Sequence, residues 1–142
     1  MLATLLPDQI DAHRLLMKVA SGRSTETYKN DQKIYNQGEA ADFVYFVQDG
    51  QVRLTVTVLD AGPESVIGVA QAGQFFGEAC LHDSPVRIAT ATAIGECRIT
   101  AVTKAAILSA ILERPKFAKL FIEYLSEHNS WVQKDMLDHL VA

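Results

Sequence analysis

A mainly β domain with flanking helices is the fold class this sequence predicts, on three observations. Residues 25–102 are cut by Gly38, Gly50, Gly62, Gly68, Gly73, Gly77 and Gly95 into short β-type runs, the texture of a sandwich or barrel of short strands. One of these runs, 51–58, alternates cleanly: Val52, Leu54, Val56 and Val58 face one way, and Arg53, Thr55 and Thr57 the other, as a half-buried strand requires. The region after Thr103 changes to the apolar spacing of helices.

With 142 residues, 49% of them hydrophobic, the chain can bury one core and is too short for two comfortable ones. The expected organisation is a single domain over 1–142, with an N-terminal helix in 1–24, a β region in 25–102 and C-terminal helices in 103–142. Seventeen acidic against thirteen basic residues, a net charge of -4, argue against a dominant nucleic-acid surface. No apolar run approaches the roughly 20 residues of a membrane span. The opening MLATLLPDQIDAHR lacks the basic flank of a signal peptide, so a cytoplasmic location away from membranes is expected.

Taken in order, 7–19 reads as the opening helix, with Pro7 near its first turn and Asp8 and Asp11 at the positive end of its dipole. Residues 43–47 form an aromatic and β-branched run that stops at Asp49-Gly50, a turn dipeptide, so 43–47 and 51–58 are predicted to make a hairpin. Asp60, Gly62 and Pro63 mark the next turn, 65–70 the next strand, and Ala72-Gly73 a further turn. Later, 86–93 is predicted as a strand, 94–96 as a turn and 97–102 as the last strand. Thr103 is an N-cap for a helix over 104–113. Pro115 stops that helix and can open another over 116–140. Its apolar positions, Phe117, Leu120, Phe121, Tyr124, Leu125, Trp131, Val132, Met136, Leu137 and Leu140, fall close to a heptad spacing. At its full length of roughly 35 Å it outgrows a small barrel, which suggests a partner, most simply its own copy.

The chemistry concentrates in 75–92, FFGEACLHDSPVRIATAT. Gly77 lets the backbone approach another molecule, Glu78 follows at once, and Arg87 stands nine residues later. As a strand, 86–93 puts Arg87, Ala89 and Ala91 on one face and Val86, Ile88, Thr90 and Thr92 on the other. A guanidinium between two methyl-sized side chains has empty space beside it, and an inward Arg without a counter-charge costs several kcal/mol. Two readings stand side by side. Either Glu78 is the counter-ion, or Arg87 and the backbone amides of 79–83 hold a phosphate while Glu78 accepts from ligand hydroxyls.

The segment FGEACLHDSPVRIATA resembles the phosphate-binding cassette of cyclic nucleotide-binding domains. Phe76, Gly77, Glu78, Leu81, Arg87, Ala89 and Thr90 stand at matching positions with the Glu to Arg interval kept, although Pro85 falls two residues before Arg87 rather than next to it. Upstream, IYNQGEAADFVYFVQDGQVRLTV is similar to the family's early strands. The resemblance covers about 25–140. It implies a β-roll, a double-stranded β-helix or jelly roll, enclosing a cyclic nucleotide, with an N-terminal helix and a long C-terminal dimerisation helix. It puts Arg87 on the cyclic phosphate and Glu78 on the ribose 2'-hydroxyl. Phe76, Gly77, Ala79, Cys80, Ile88 and Ala89 would add backbone or packing contacts. Ile88 lacks the hydroxyl that often favours a guanine nucleotide, which tilts the expected ligand toward cAMP, with cGMP second and no cofactor.

The last helix looks like the dimer helix of the catabolite-activator and Fnr type of bacterial regulators, where it also closes over the base. Ser126, Asn129 and Ser130 are its polar candidates to reach adenine, against the alternative that they are a solvated face. In those regulators a DNA-binding helix-turn-helix follows; this chain ends at Ala142, so direct DNA binding by these residues is not expected, and a homodimer is.

The function expected is therefore a non-catalytic sensor of a cyclic nucleotide, from a signal-responsive transcription regulator. A cupin-type metalloenzyme shares the architecture but needs a His-rich site, and the β region carries only His82. A haem or redox sensor on the same fold would use His82 or Cys80. A ligand-free dimerising module is the remaining alternative. Cys80 and Cys97, with no CxxC spacing, read otherwise as reduced, buried small residues, and no metal site is expected.

Overall fold

The computed structural model describes residues 22–57, 62–78 and 85–128, the side chains of 124–128 excepted. Six strands, β1 (Arg23–Tyr28), β2 (Lys33–Tyr35), β3 (Phe43–Val56), β4 (Ser65–Gln71), β5 (Phe75–Phe76) and β6 (Thr90–Thr103), are followed by helices α1 (Lys104–Glu113) and α2 (Pro115–His128). All the strand pairings are antiparallel, in the order β1-β6-β3-β4, with β2 on β6 and β5 on β3. The predicted helix over 7–19 and the part of the last helix beyond His128 lie outside the described residues.

The pairing of β3 with β6 corrects two predicted turns. Asp49-Gly50 does not end a hairpin and 94–96 does not separate two strands; both lie inside continuous strands of 14 residues. Phe43 to Val47 pair with Thr103 to Ile99, and Gln51 to Thr55 pair with Ile94 to Thr90. Between Asp49↔Arg98 and Gln51↔Ile94, β3 advances two residues while β6 advances four. That mismatch is a bulge, which bends the paired strands. Gly50 and Gly95 sit in it at φ +94° and +69°, a conformation as usable in a bulge as in a turn.

Alternation across the first half of β3 feeds two cores. Tyr45 and Val47 turn into the roll with Val52, Leu54, Ile67, Ala91 and Ile99. Val44 and Phe46 turn toward the helices, where they meet Phe75, Val102, Ile107, Phe117 and Phe121. Beyond the bulge Val52, Leu54 and Val56 are buried as their alternation predicted. Thr55 departs from it: the expected outward residue is 2% exposed, next to a register shift between Leu54 and Thr55 in the pairing with β4.

The helix signals hold. Thr103 caps α1, its Oγ1 accepting from the Ala106 N–H at 3.2 Å. Arg114 ends α1, its N–H bonded to the Ala110 carbonyl at 3.0 Å, and Pro115 opens α2. Phe117 and Phe121, one helical turn apart, stack at 5.6 Å and lay α2 on the second core.

Candidate functional site

Strand β5 delivers the first half of the site. Phe76 pairs with Tyr45 and Phe75 with Phe46, after which Gly77 turns at φ +76°. A side chain at Gly77 has no room: its Cβ would stand 2.8 Å from Arg87 Nη1, 3.2 Å from Tyr45 Cδ2 and 3.4 Å from the Tyr35 hydroxyl. The glycine is required twice, by its backbone and by what lies over it.

The second half is not the strand expected over 86–93. Regular pairing begins at Thr90, and Val86 makes only an isolated bridge with Ala40. Residues 85–87 are instead clasped by the loop after β2. The Ala41 N–H bonds Pro85 O at 3.0 Å, the Arg87 N–H bonds Glu39 O at 2.7 Å, and the Gly38 N–H bonds Arg87 O at 2.8 Å. Gln37 fastens the same loop to the mouth of the roll. Its N–H reaches Thr90 Oγ1 at 2.9 Å, its Nε2 donates to Thr57 O at 2.9 Å, and its Oε1 accepts from the Thr57 N–H at 2.9 Å. The Glu39 carboxyl is held below its ordinary range, first by the Asn36 side-chain amide and then by the Asn36 N–H, with a smaller contribution from Arg87.

Arg87 is buried, as are Ala89 and Ala91, and is 5% exposed. Among the described residues no carboxylate lies within ion-pair distance of it, so Glu78 is not its direct counter-ion. Nη1 donates to Gly77 O at 2.8 Å and Nη2 to Phe43 O at 2.6 Å. The guanidinium carbon stands 4.2 Å from the Tyr35 ring centroid and 5.3 Å from that of Tyr45. Nε is buried and, with Thr55 Oγ1, without a hydrogen-bond partner among the described residues.

Glu78 is half-buried beside this cation. Burial pushes its carboxyl up to about 7, while a backbone N–H and the Arg87 charge pull the other way. A carboxylate so placed is stabilised by an incoming hydroxyl or N–H donor.

Of the residues expected to bind ligand, Phe76, Gly77, Glu78 and Arg87 are brought together, with Ala89 in the roll core and Ile88 half-buried against it. Ala79, Cys80, Asn129 and Ser130, together with Ser126's side chain, lie outside what is described. Sequence reasoning missed Tyr35, Tyr45, the Phe43 carbonyl and Gln37. The alternation that turns Tyr45 inward with Val47 was readable in FVYFV; the approach of Tyr35 to Arg87 has no local signal.

Residues 25–114 match the family model of the cyclic nucleotide-binding domain. This chain belongs to that family. The cAMP-dependent protein kinase type II regulatory subunit of Drosophila melanogaster is 35% identical over 79 residues, 56% of this chain and 20% of that protein. The catabolite activator protein of Thermus thermophilus superposes with a TM-score of 0.69 at 26% identity, over 95% of this chain and 61% of that one. The c-di-GMP responsive global regulator CLP of Xanthomonas campestris superposes with a TM-score of 0.78 at 17% identity, over 89% of this chain and 61% of that one; that likeness is one of fold alone. The chain thus spans only part of each of these relatives. The family's β-roll is the fold found here, and among the described residues no helix is long and apolar enough to cross a membrane.

Proposed function

We propose that this chain is a sensor domain that binds a cyclic nucleotide, cAMP in preference to cGMP, and passes the event to its C-terminal helices. The observation that carries the reading is Arg87: a buried guanidinium balanced by carbonyl dipoles and ring faces, with no carboxylate among the described residues and with Nε unpartnered. A buried cation kept without a counter-ion is a receptor for an anion. Glu78, raised by burial, adds the demand for a donor close to that anion. A cyclic ribose phosphate supplies both, with its phosphate on Arg87 and its 2'-hydroxyl on Glu78.

The backbone at Gly77 and Ala79 assists the phosphate in this reading, with Phe76, Cys80, Ile88 and Ala89 lining the ligand and Asn129 and Ser130 closing over the base. The chain takes no part in catalysis. Its output is a homodimer whose last helices shift between two states, as the regulatory part of a transcription regulator in the cytoplasm that does not itself touch DNA. The likeness to the Drosophila cAMP-dependent protein kinase regulatory subunit supports cAMP as the first ligand to try.

Calorimetric titration with cAMP, cGMP and AMP tests this directly. The intact chain should bind cAMP most tightly. Arg87→Ala should lose affinity by about 100-fold, the worth of one or two charge-assisted hydrogen bonds. No heat from any of the three nucleotides sinks the sensor reading, and unchanged affinity in Arg87→Ala removes the guanidinium from the phosphate.

A further inference from the structure

We infer that Tyr35 and Tyr45 are positioning residues for Arg87, an aromatic corner that holds the guanidinium oriented and charged for an anion. This deepens the proposed function and rests on it for the ligand, while the corner itself can be tested without one.

The two rings stand 4.2 and 5.3 Å from the guanidinium carbon, within the distance at which a ring face attracts a cation. They are only 5.5 Å from each other, so they meet the cation from adjacent sides. Each ring is itself fixed. Tyr45 stacks on Phe76 at 5.2 Å and 15°, and Tyr35 lies 6.1 Å from the same Phe76 ring. Both tyrosines are buried in the roll core.

The choice of partners has a chemical consequence. A carboxylate against Arg87 would neutralise it, and an incoming phosphate would have to displace that carboxylate. Ring quadrupoles and carbonyl dipoles lower the cost of burying the guanidinium and leave its whole charge for the ligand. The carbonyls of Gly77 and Phe43 each accept from one Nη, the rings stand against two adjacent sides, and Nε has no partner among the described residues. An anion therefore meets an oriented edge. A Leu at position 35 fills space but supplies no quadrupole, whereas a Phe supplies both.

The test has one arm with ligand and one without. By calorimetry with cAMP, Tyr35→Leu should weaken binding about tenfold and Tyr35→Phe should stay within about threefold of the native chain. In the ligand-free chain, the Arg87 Nε–H resonance should be shifted by the ring currents. Tyr35→Leu should move it toward an ordinary arginine position, while Tyr35→Phe should keep it near the native one. Equal behaviour of the Leu and Phe variants in the resonance arm reduces Tyr35 to packing and overturns the inference. So does full cAMP affinity in Tyr35→Leu. If the native chain binds no cAMP, the proposed ligand fails, yet the resonance arm still decides whether the corner exists.

Discussion

At the scale of single residues the site is defined by a cation and a carboxyl, each held away from its ordinary surroundings. The Glu78 carboxyl stands at about 7 against an ordinary 4.5, because burial outweighs the backbone N–H and Arg87. Between those values the folded chain keeps a proton that the unfolded chain has released. The stabilising contribution is whole below about 4.5, drains as the pH rises, and is gone above about 7. It amounts to at most ~3 kcal/mol, less whatever solvent still reaches the half-buried side chain. Glu78→Gln should therefore flatten the fall in stability between these pH values, read by urea unfolding across a pH series. A hydroxyl donor favours the ionised form, so cAMP binding near neutral pH should release protons, seen as a heat that varies with the ionisation enthalpy of the buffer. A slope or proton release that survives Glu78→Gln assigns the titration to another group. Glu78 and Arg87 were legible because the cassette is a local pattern. The corner of Tyr35 and Tyr45 was not, because its chemistry exists only after distant strands have paired.

The elements show where local chemistry has two meanings. Asp49-Gly50 and the glycine in 94–96 were read as turns because a turn and a bulge both need a residue at positive φ. What separates them is the long-range partner, and here β3 pairs with β6 on both sides of the glycines. The two glycines are nevertheless unequal. A Cβ at Gly50 would meet Cys97 Sγ at 2.7 Å and Glu96 O at 2.8 Å, whereas one at Gly95 meets nothing within 4 Å. Gly95→Ala should cost only its backbone strain, about 1 kcal/mol, while Gly50→Ala adds the forced separation of two strands and should cost about 3 kcal/mol. Chemical denaturation of the two variants measures the difference; equal costs would show that the bend yields to a side chain as easily as an open surface does. The elements legible in the sequence, such as the strand segment Val52 to Val56 and the helix capped by Thr103, are those whose periodicity and capping are decided within a few residues.

For the whole molecule the proposed sensing needs a route from the roll to the helices, and the two-residue strand β5 offers a direct one. Phe76 faces the roll, stacked on Tyr45 beside Arg87. Its neighbour Phe75 faces the other core, edge-on to Phe46 at 5.1 Å and to Phe121 of α2 at 5.7 Å. The next residues are Gly77 and Glu78, so a ligand drawn onto them pulls a segment whose two aromatic side chains lie in different cores. A ligand shifts the helices only by its differential affinity for their two arrangements, and close-packed Phe75 is placed to make that difference felt. Phe75→Leu keeps the volume apolar but removes two edge-to-face contacts, at a cost of about 1 to 3 kcal/mol. It leaves the aromatic corner around Arg87 untouched. The variant should bind cAMP within about threefold of the native chain and yet lose most of the ligand-induced change in amide exchange along α2. If that change persists at full size, the signal leaves the roll by another path, through the Phe43 carbonyl on Arg87 and the neighbouring bond from the Lys104 N–H to Asp42 O.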